Sequence, residues 1–562
     1  MKCPGPLDER SKCLLIWVFL GIVPLFARSL WEPDEARYAE IPREMLATGD
    51  WLTPRLNQVL YFEKPPLQYW LSAGSMKLFG VSPVAAKLPL ALASLILLAS
   101  AWRLSRRLGV PEPSRGVFMT ATSLLVFGCH QILTLDALFS ALLVASLAAA
   151  VEAVTARVQG SRRRAAGWTT TAFAASALAL LVKGLAAPVL LGGVLLGSLP
   201  WAWKAPGPRR AVLRFLADPL GWLVFAVIGA PWFVLMERIH PGHAQFFFIH
   251  EHLLRFATHL HQRQGVHNLV LDKFYFAAVL LVGLLPWLAT SILGLRRTMA
   301  FLRGRGGPRS EQAPLHRWTV AAMMLGFAVP FLFFTLSGSK LYPYILPAVV
   351  PVLVLACAFE REGEAPASLR RTGWELAGLG AVFFLAGPFA LKGPGGIGWS
   401  LALGATFLGL GLWAMRPGPV AGPGWRAALG AGLLALLPAA QQVVGPGKEV
   451  SRLVRQAPAD AQWISCGNYF QGIAFHAGQR VTVVDSGGEL AFGRDRLPAG
   501  ERARWFPAAP LGQVAQGLRA EAPGRPVWAL IAPQAWNRLS PGQQGAWRVV
   551  DRTRSARLAR LE

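Results

Sequence analysis

Long apolar segments recur through most of this 562-residue chain. From Cys13 to Val443 they run for roughly 17–22 residues, about the length that crosses a bilayer core as a helix. Within lipid, only helices and closed barrels satisfy every backbone hydrogen-bonding group, and these segments are too long and too uniform to be barrel strands. The pattern therefore predicts an all-α polytopic membrane protein.

The apolar segments number about thirteen and alternate with arginine-rich loops, which remain in the cytoplasm in membrane proteins. We expect spans near residues 13–30, 84–102, 116–133, 136–155, 168–182, 185–202, 219–236, 274–293, 318–336, 343–358, 374–391, 396–414 and 426–443. An odd number places the N-terminus in the cytoplasm and the C-terminus outside. The net charge of +26 then reflects topology and anionic head groups. It does not indicate nucleic-acid binding, because the basic residues form no single patch.

The five cysteines are scattered and match neither a disulfide framework nor a metal-binding spacing. The first apolar segment follows Lys2, Arg10 and Lys12, so a signal peptide is an alternative interpretation. We favour a retained first span, because the later loops alternate correctly only if this segment stays in the membrane.

Two domains are expected. Residues 1–444 form the membrane domain, with outer loops at 31–83 and 237–273, and residues 445–562 form a small soluble α/β domain outside. In the first loop, Ala39–Thr48 reads as a surface helix and Leu67–Phe79 as an interfacial one. The tail alternates apolar and polar residues in three short predicted strands with one helix between them. The predicted strands are Gln462–Ser465, Arg480–Val484 and Val527–Ile531, and the predicted helix is Leu511–Leu518. The basic end, Arg552 to Arg560, reads as a solvated helix face.

The first outer loop concentrates charge directly after a span. A carboxylate such as Asp34 or Glu35, partly desolvated at this boundary, can act as a general base. Arg37 and Lys64 can neutralise a phosphate, arginine through a bidentate fork and lysine as a point charge. The alternative is that these charges only anchor a surface helix at the interface.

The second outer loop is rich in histidine. His252 and Arg255 are three residues apart and would share a face of a helix. His250, His252 and Glu63 are candidate zinc ligands, since zinc accepts imidazole and carboxylate. No HExxH spacing occurs. For His240, His243, His259, His261 and His267, polar packing at the interface is the simpler interpretation.

Further ionisable groups are expected at the same outer level of the membrane. Asp136 begins one span and Lys183 interrupts another, and Lys340, Tyr342 and Tyr344 follow a later one. Ionisable groups at membrane depth usually face a cavity or a partner. Cations and carboxylates on one side suit an anionic lipid-phosphate substrate and an acid/base step.

Several motifs resemble those of the bacterial ArnT-like glycosyltransferases, which belong with the protein O-mannosyltransferases in the GT-C superfamily. The longest is Glu32 to Glu40, followed by Tyr61 to Leu67. The other motifs occur in the family's order. They are Leu133 to Asp136, Lys183-Gly184, Glu251 to Phe256, Lys340 to Tyr344, Gly467 to Gln471 and Val484-Asp485 to Phe492-Gly493.

The resemblance implies a role for each matching residue. Asp34 would be the catalytic carboxylate, while Lys64 and Arg255 would hold the lipid phosphate, with Arg37 and Tyr61 nearby. Glu63 and His252 would match a zinc-binding pair. The remaining matches would line the sugar pocket or close over the donor: Asp136, Lys183, Lys340, Tyr342 and Tyr38.

The implied activity is transfer of a sugar, such as 4-amino-4-deoxy-L-arabinose or mannose, from a polyprenyl (undecaprenyl) phosphate. The acceptor would be lipid A, a protein or a glycan at the periplasmic face of the bacterial inner membrane. No nucleotide cofactor is needed, because cations on the phosphate make it a good leaving group. A single displacement implies inversion at the anomeric carbon. Two alternatives are a transporter or flippase, which would show repeats and broken helices at mid-membrane, and a non-catalytic assembly protein, which leaves the first loop unexplained.

Overall fold

The computed structural model describes residues 7–254, 269–305, 313–361, 363–390, 394–416, 423–486 and 488–562. Within it, the chain forms two compact units. The first consists of Met1–Leu25 and Pro89–Leu437, and the second of Phe26–Leu88 and Pro438–Glu562. The first outer loop thus groups with the tail, whereas the sequence analysis assigned it to the membrane domain, residues 1–444.

The first unit is helical. Six helices in the described residues are long and apolar enough to cross a membrane, or seven if a pair bent by 115° is one span. They are Pro83–Arg107, Leu135–Val158, Arg162–Lys183, Pro206–Ile239, Pro314–Leu336 and Gly395–Met415, with Asp272–Gly283 and Leu288–Leu302 as the bent pair. The Pro206–Ile239 segment is itself interrupted, because a proline begins each of its three helices.

Other predicted spans are shorter or broken. The span expected at 116–133 is two helices that meet at Ser123, and the first span passes from an α-helix into π and 3₁₀ turns. Length and composition thus single out fewer spans among the described residues than the thirteen expected. Three of the helices named above have slightly wider bounds as secondary structure, Leu269–Gly283, Ala313–Leu336 and Pro394–Met415. The remaining helical segments that contribute to this unit are Glu9–Trp17, Val18–Ile22, Val23–Phe26, Pro113–Thr122, Leu124–Cys129, Ala186–Gly197, Leu199–Ala202, Gln245–Leu254, Tyr342–Ile345, Leu346–Ala358, Ala365–Leu385, Gly387–Ala390 and Pro423–Val443.

The second unit contains a five-stranded mixed sheet of order β4-β3-β5-β7-β6. Its strands are β3 (Gln462–Cys466), β4 (Thr482–Val484), β5 (Val527–Ile531), β6 (Trp547–Arg552) and β7 (Arg557–Leu561). Strand β3 pairs in parallel with both β4 and β5, whereas β7 is antiparallel to its neighbours. Every residue of β5 is buried, as expected for a central strand covered on both faces. The three strands and the helix predicted in the tail are confirmed.

The prediction for the basic end was wrong, since Arg552 to Arg560 belong to β6, the turn and β7 and not to a helix. Leu558 and Ala559 are buried, and β7 lies between β5 and β6. Backbone pairing with these two strands, which the local composition did not reveal, determines the conformation of this segment.

The first-loop part of the second unit holds two helices and a hairpin. Leu67–Phe79 is helical as predicted. The other helix spans Asp34–Thr48 and is largely buried, so the surface helix expected at Ala39–Thr48 is longer and more enclosed. Strands β1 (Arg55–Leu56) and β2 (Val59–Leu60) form the hairpin. The other helices of this unit are Gly445–Lys448, Ser451–Val454, Gln471–Ala477, Ala491–Arg494, Ala499–Trp505, Leu511–Glu521, Pro533–Arg538 and Pro541–Gly545.

Candidate functional site

Two adjacent acids in the first turn of the Asp34–Thr48 helix have different surroundings. Glu35 is buried and accepts a hydrogen bond from Arg28 Nη2 at 2.9 Å and another from the Trp31 backbone N–H at 3.0 Å. The Asp34 side chain is 53% exposed and forms an ion pair with Arg37, one turn along the helix. Asp34 is therefore the acid that a substrate can reach.

Arg37 is buried between two carboxylates of the second unit. Its guanidinium pairs with Asp34 and with Glu489 of the tail, and it donates to the Tyr61 hydroxyl at 3.3 Å. Burial acts to lower the pKa of Arg37, but the neighbouring Tyr61 and Glu489 raise it well above its ordinary value. The side chain is thus a fixed cation that orients Asp34.

Glu489 and Glu32 connect the first loop to one helix of the tail. Gln471, the first residue of the Gln471–Ala477 helix, donates from Nε2 to Glu489 at 2.7 Å. Glu32 accepts the backbone N–H groups of Gln471 and Gly472 at 3.2 and 2.6 Å. Burial raises the pKa of Glu32 to about 8, although the two N–H donors act to lower it. Because both acids contact the same helix, the Asp34 segment is held in register with the tail.

The β1–β2 hairpin provides a second connection. Its turn residues Asn57 and Gln58 have φ of +56° and +61°, as a two-residue hairpin turn requires. The buried Asn57 amide exchanges two 2.9 Å hydrogen bonds with the backbone of Val481. Gly493 approaches the other strand so closely that a Cβ there would lie 2.7 Å from the Leu60 nitrogen. The Phe492-Gly493 part of the tail motif therefore has a packing role.

The remaining first-loop candidates lie in the same unit. Tyr38 stacks on Tyr69 with ring centroids 6.1 Å apart, and the Arg37 guanidinium lies 5.3 Å from the Tyr38 ring. Glu63 and Lys64 are half-buried, and Lys64 Nζ donates to the Glu63 carbonyl oxygen at 2.8 Å. The Lys64 ammonium thus lies in the same segment as Tyr61, which contacts Arg37.

A cleft of about 430 Å³ lies beside this network, within the second unit. Lys448 adds a cation to it, and Ser486 and Ser555 add hydroxyl groups. The site residues Glu32, Gln471 and Glu489 also line the cleft. It therefore offers mixed charge and hydrogen-bonding groups to a polar ligand.

In the first unit, Asp136 and Lys183 form an ion pair that is largely buried, with side-chain exposures of 11% and 13%. Asp136 lies in the first turn of one helix and Lys183 in the last turn of the next. Lys183 Nζ also lies 3.8 Å from the centroid of the Tyr344 ring. The two residues predicted for the sugar pocket are thus brought together, and Tyr344 joins them.

Lys340 has a different partner. Its Nζ contacts Asp272 at 2.6 Å and the Ser337 carbonyl oxygen at 2.7 Å, and the side chain is buried. Tyr342 is 41% exposed. A structural role for Lys340 fits this pairing better than a role as a free cation in the sugar pocket.

The histidine-rich loop is only partly described. His243 packs among aromatic rings, with the Trp232 centroid at 5.2 Å, and burial lowers the pKa of His243 to about 4. His250 Nδ1 lies 3.3 Å from the buried Glu251 carboxylate. Arg255, His259, His261, His267 and the side chain of His252 lie outside the described residues. In the described part of the chain, no group of three or more His, Cys, Asp or Glu residues could hold a metal.

Sequence reasoning missed three contacts at these sites. Glu489 and Gln471 contact the first loop from more than 400 positions away, and Asp272 is the partner of Lys340. The first two lie in tail segments that the motif comparison had marked, but their roles were not assigned. Asp272 carried no signal, because an isolated acid at the start of an apolar segment has many interpretations.

Comparison with known proteins gives a consistent result. Residues 63–234 match the model of the dolichyl-phosphate-mannose-protein mannosyltransferase family. The chain is 32% identical over 417 residues to an undecaprenyl phosphate-alpha-4-amino-4-deoxy-L-arabinose arabinosyl transferase of Edwardsiella ictaluri, covering 71% of this chain and 70% of that protein. A relative with the same activity in its name, from Sodalis glossinidius, is 31% identical over 69% of this chain and 65% of its own length.

The crystal structure of ArnT from Cupriavidus metallidurans bound to undecaprenyl phosphate is also similar. It superposes with a TM-score of 0.76 at 26% identity, covering 98% of this chain and 97% of that one. Both the sequence and the arrangement of the described helices and sheet thus match one group of enzymes. The chain belongs to the ArnT-like family of membrane glycosyltransferases.

Proposed function

We propose that the protein transfers a sugar from an undecaprenyl-phosphate donor to an acceptor at the periplasmic face of the bacterial inner membrane. Its relatives are named for transfer from such a donor, and a similar structure holds undecaprenyl phosphate. The observation that carries the proposal is the half-exposed Asp34 carboxylate, fixed by the buried Arg37 beside the Glu63-Lys64 segment.

The reaction divides into two tasks. Lys64, with Arg255, neutralises the phosphate as it leaves the anomeric carbon. Preorganised cations stabilise the charge that develops on the leaving group in the transition state. Asp34 removes a proton from an acceptor hydroxyl, or orients an acceptor that is already ionised. A single displacement of this kind inverts the anomeric carbon.

Arg37 orients Asp34 in this scheme and, with Tyr61, lies near the lipid phosphate. Its guanidinium already pairs with two carboxylates and a phenol in a buried position. Asp136, Lys183 and Tyr344 supply the polar groups of the sugar pocket, with Tyr342 beside them and Tyr38 as part of the closing loop.

The decisive experiment compares Asp34→Asn with the parent in a sugar-transfer assay. The general-base role predicts a loss of about 10²–10⁴-fold in turnover. Donor binding and expression should persist, because the side chain is half-exposed. Asp460→Asn removes an exposed acid elsewhere in the same unit and should leave turnover unchanged. Full turnover in Asp34→Asn would refute the mechanism.

The transferred sugar is identified by mass spectrometry of the polyprenyl-phosphate sugar consumed in the assay. Relatives point to 4-amino-4-deoxy-L-arabinose, and the family match extends the candidates to mannose. Lipid A, a protein and a glycan are the acceptors to compare. Proton NMR of the product's anomeric configuration tests inversion.

The proposal includes a zinc ion bound by Glu63 and His252. It does not include a nucleotide cofactor. Imidazole and carboxylate are ordinary zinc ligands, and Glu63 is half-buried next to Lys64. Bound zinc would supply a further positive charge there. Elemental analysis should find zinc in the parent and not in Glu63→Gln or His252→Ala. If the parent protein purified without zinc, the zinc site would be refuted.

The topology proposed is about thirteen spans, with a cytoplasmic N-terminus and residues 445–562 as a periplasmic α/β domain. The alternation of arginine-rich loops supports it. The mixed sheet with flanking helices supports the α/β assignment of the tail.

A further inference from the structure

A second cleft, of about 1030 Å³, lies in the tail. Strands β4, β3 and β5 are parallel, and the chain passes from β3 to β4 on one side and then crosses to β5 on the other. In open α/β sheets ligands bind outside the carboxyl ends of the strands, where connections leave in opposite directions. The cleft lies at this end of the sheet, lined by Cys466 at the end of β3, by Asp485, which directly follows β4, and by Ala535 in the helix that follows β5.

Three arginines line this cleft: Arg494, Arg502 and Arg538. Arg538 pairs with Asp485 at 2.7 Å, but both side chains are more than half exposed, so the pair is weak. Arg494 pairs with Asp495, a second acid of the cleft, at 2.8 Å. Arg502 is exposed and helps to lower the pKa of Asp495, but no ion pair of its guanidinium occurs among the described residues. Two guanidinium groups are thus available to an anion at little cost.

The same cleft has features that suit a sugar. Asp485, with φ of +52°, sends an exposed carboxylate into it, and Ser486 adds a hydroxyl group. Carboxylates accept hydrogen bonds from sugar hydroxyls, and Phe506 and Leu511 provide apolar surface. The volume is at the upper end of the usual range for ligand sites, about 300–1,000 Å³.

We propose that this arginine cleft binds a phosphorylated saccharide, with Arg502 and Arg538 on the phosphate and Asp485 on a sugar hydroxyl. Guanidinium groups bind phosphate in a bidentate manner, which a lysine-lined cleft would not provide. Ser486 lines both this cleft and the one beside Glu489. This inference rests on the proposed function: the ligand is a phosphorylated sugar unit of the acceptor, and it docks apart from Asp34, which is not among the lining residues.

Binding of glucose 1-phosphate to the full-length protein in detergent, measured by isothermal titration calorimetry, tests the proposal. The parent should bind this probe at least tenfold more tightly than glucose or inorganic phosphate. The double variant Arg502→Gln/Arg538→Gln should lose at least tenfold in affinity. The matched control Arg548→Gln/Arg560→Gln removes the same charge from β6 and β7 and should bind like the parent.

Three results would overturn the proposal. They are no binding to the parent, equal losses in the two double variants, and binding of inorganic phosphate as tight as that of glucose 1-phosphate. Asp34→Asn should bind the probe normally, so failure of the cleft and failure of the proposed transfer reaction are distinguished. Asp485→Asn frees Arg538 from its carboxylate partner, so the variant should bind inorganic phosphate at least as tightly as the parent and should lose the preference for glucose 1-phosphate over inorganic phosphate.

Discussion

Asp34 and Glu35 are neighbours in the chain but have different roles, because only Glu35 pairs with the buried Arg28. Arg28 and Glu35 have side-chain exposures of only 3% and 1%, and Arg28 also lies 4.3 Å from the Trp31 ring. A carboxylate held in a buried ion pair is not accessible to a substrate. The first-loop motif therefore combines a structural ion pair with a reactive acid at adjacent positions.

Glu35→Gln should destabilise the protein with little direct effect on the chemical step. Breaking a buried pair by neutralising one partner costs about 3–5 kcal/mol, because the other charge remains buried. We expect a clear fall in the melting temperature in detergent, measured by differential scanning fluorimetry. Asp34→Asn, in which the carboxylate is half-exposed, should melt close to the parent. Equal melting temperatures for the two variants would contradict this division of roles.

At the residue scale, the sequence singles out candidate residues but not the residues with which they pair. Asp34, Asp136 and Lys183 were singled out because ionisable groups are rare beside membrane spans. The pairing of Asp136 with Lys183, of Lys340 with Asp272 and of Arg37 with Glu489 depends on tertiary structure that no local pattern encodes.

At the scale of elements, the helix Gln471–Ala477 depends on an acid from a distant segment. Glu32 accepts two of its first N–H groups, which have no partner within the helix. This capping acid is partly buried beside the cleft, and its pKa is raised from an ordinary 4.5 to about 8.

The raised pKa makes stability depend on pH. Folded Glu32 holds its proton up to about pH 8, whereas the unfolded chain releases it near pH 4.5. The contribution is therefore fully present below pH 4.5 and is lost as pH rises through about 8, at about 1.4 kcal/mol per pH unit. Glu32→Gln should abolish this fall in melting temperature, while Glu521→Gln, an exposed acid, should retain it. If the melting temperature of Glu32→Gln fell with rising pH as steeply as that of the parent, another group would be responsible for the pH dependence.

The contact between the β1–β2 hairpin and the Ala491–Arg494 helix permits a second test. A methyl group at Gly493 would lie 2.7 Å from the Leu60 nitrogen and 2.9 Å from Val59 Cβ, so the backbone must move. We expect Gly493→Ala to cost about 1–3 kcal/mol, as overpacking does. It should also lower turnover, since the hairpin and Tyr61 belong to one segment.

Gly500→Ala provides the matched control, because nothing lies within 4 Å of a Cβ there and alanine favours the helix that contains it. The control should melt at or slightly above the parent temperature in the same fluorimetric assay. If Gly493→Ala behaved like Gly500→Ala, the close approach of helix and hairpin would not matter.

At the scale of the whole molecule, composition was enough to predict a helical membrane protein. It was not enough to predict how the chain divides into two compact units. The length of the apolar segments predicted helices, and the alternation of apolar and polar residues in the tail predicted β3, β4 and β5. The basic end was misjudged, because backbone pairing to β5 and β6 determines β7. The grouping of Phe26–Leu88 with the tail rests on contacts such as those of Asn57 with Val481, which join positions 424 residues apart.

Charge distribution also predicts which side of the membrane each part occupies. Arg162 to Arg164 form the arginine-rich start of the Arg162–Lys183 helix, which the positive-inside rule assigns to the cytoplasm, and the tail is assigned to the periplasm. Arg163→Cys and Ser540→Cys place one thiol in an exposed position of each part. In cells with a permeabilised outer membrane, a membrane-impermeant maleimide should label Ser540→Cys and should label Arg163→Cys only after lysis. The parent, whose Cys129, Cys357 and Cys466 are buried, measures the background. Labelling of Arg163→Cys in unlysed cells would reverse the proposed orientation and move the Asp34 site away from periplasmic acceptors.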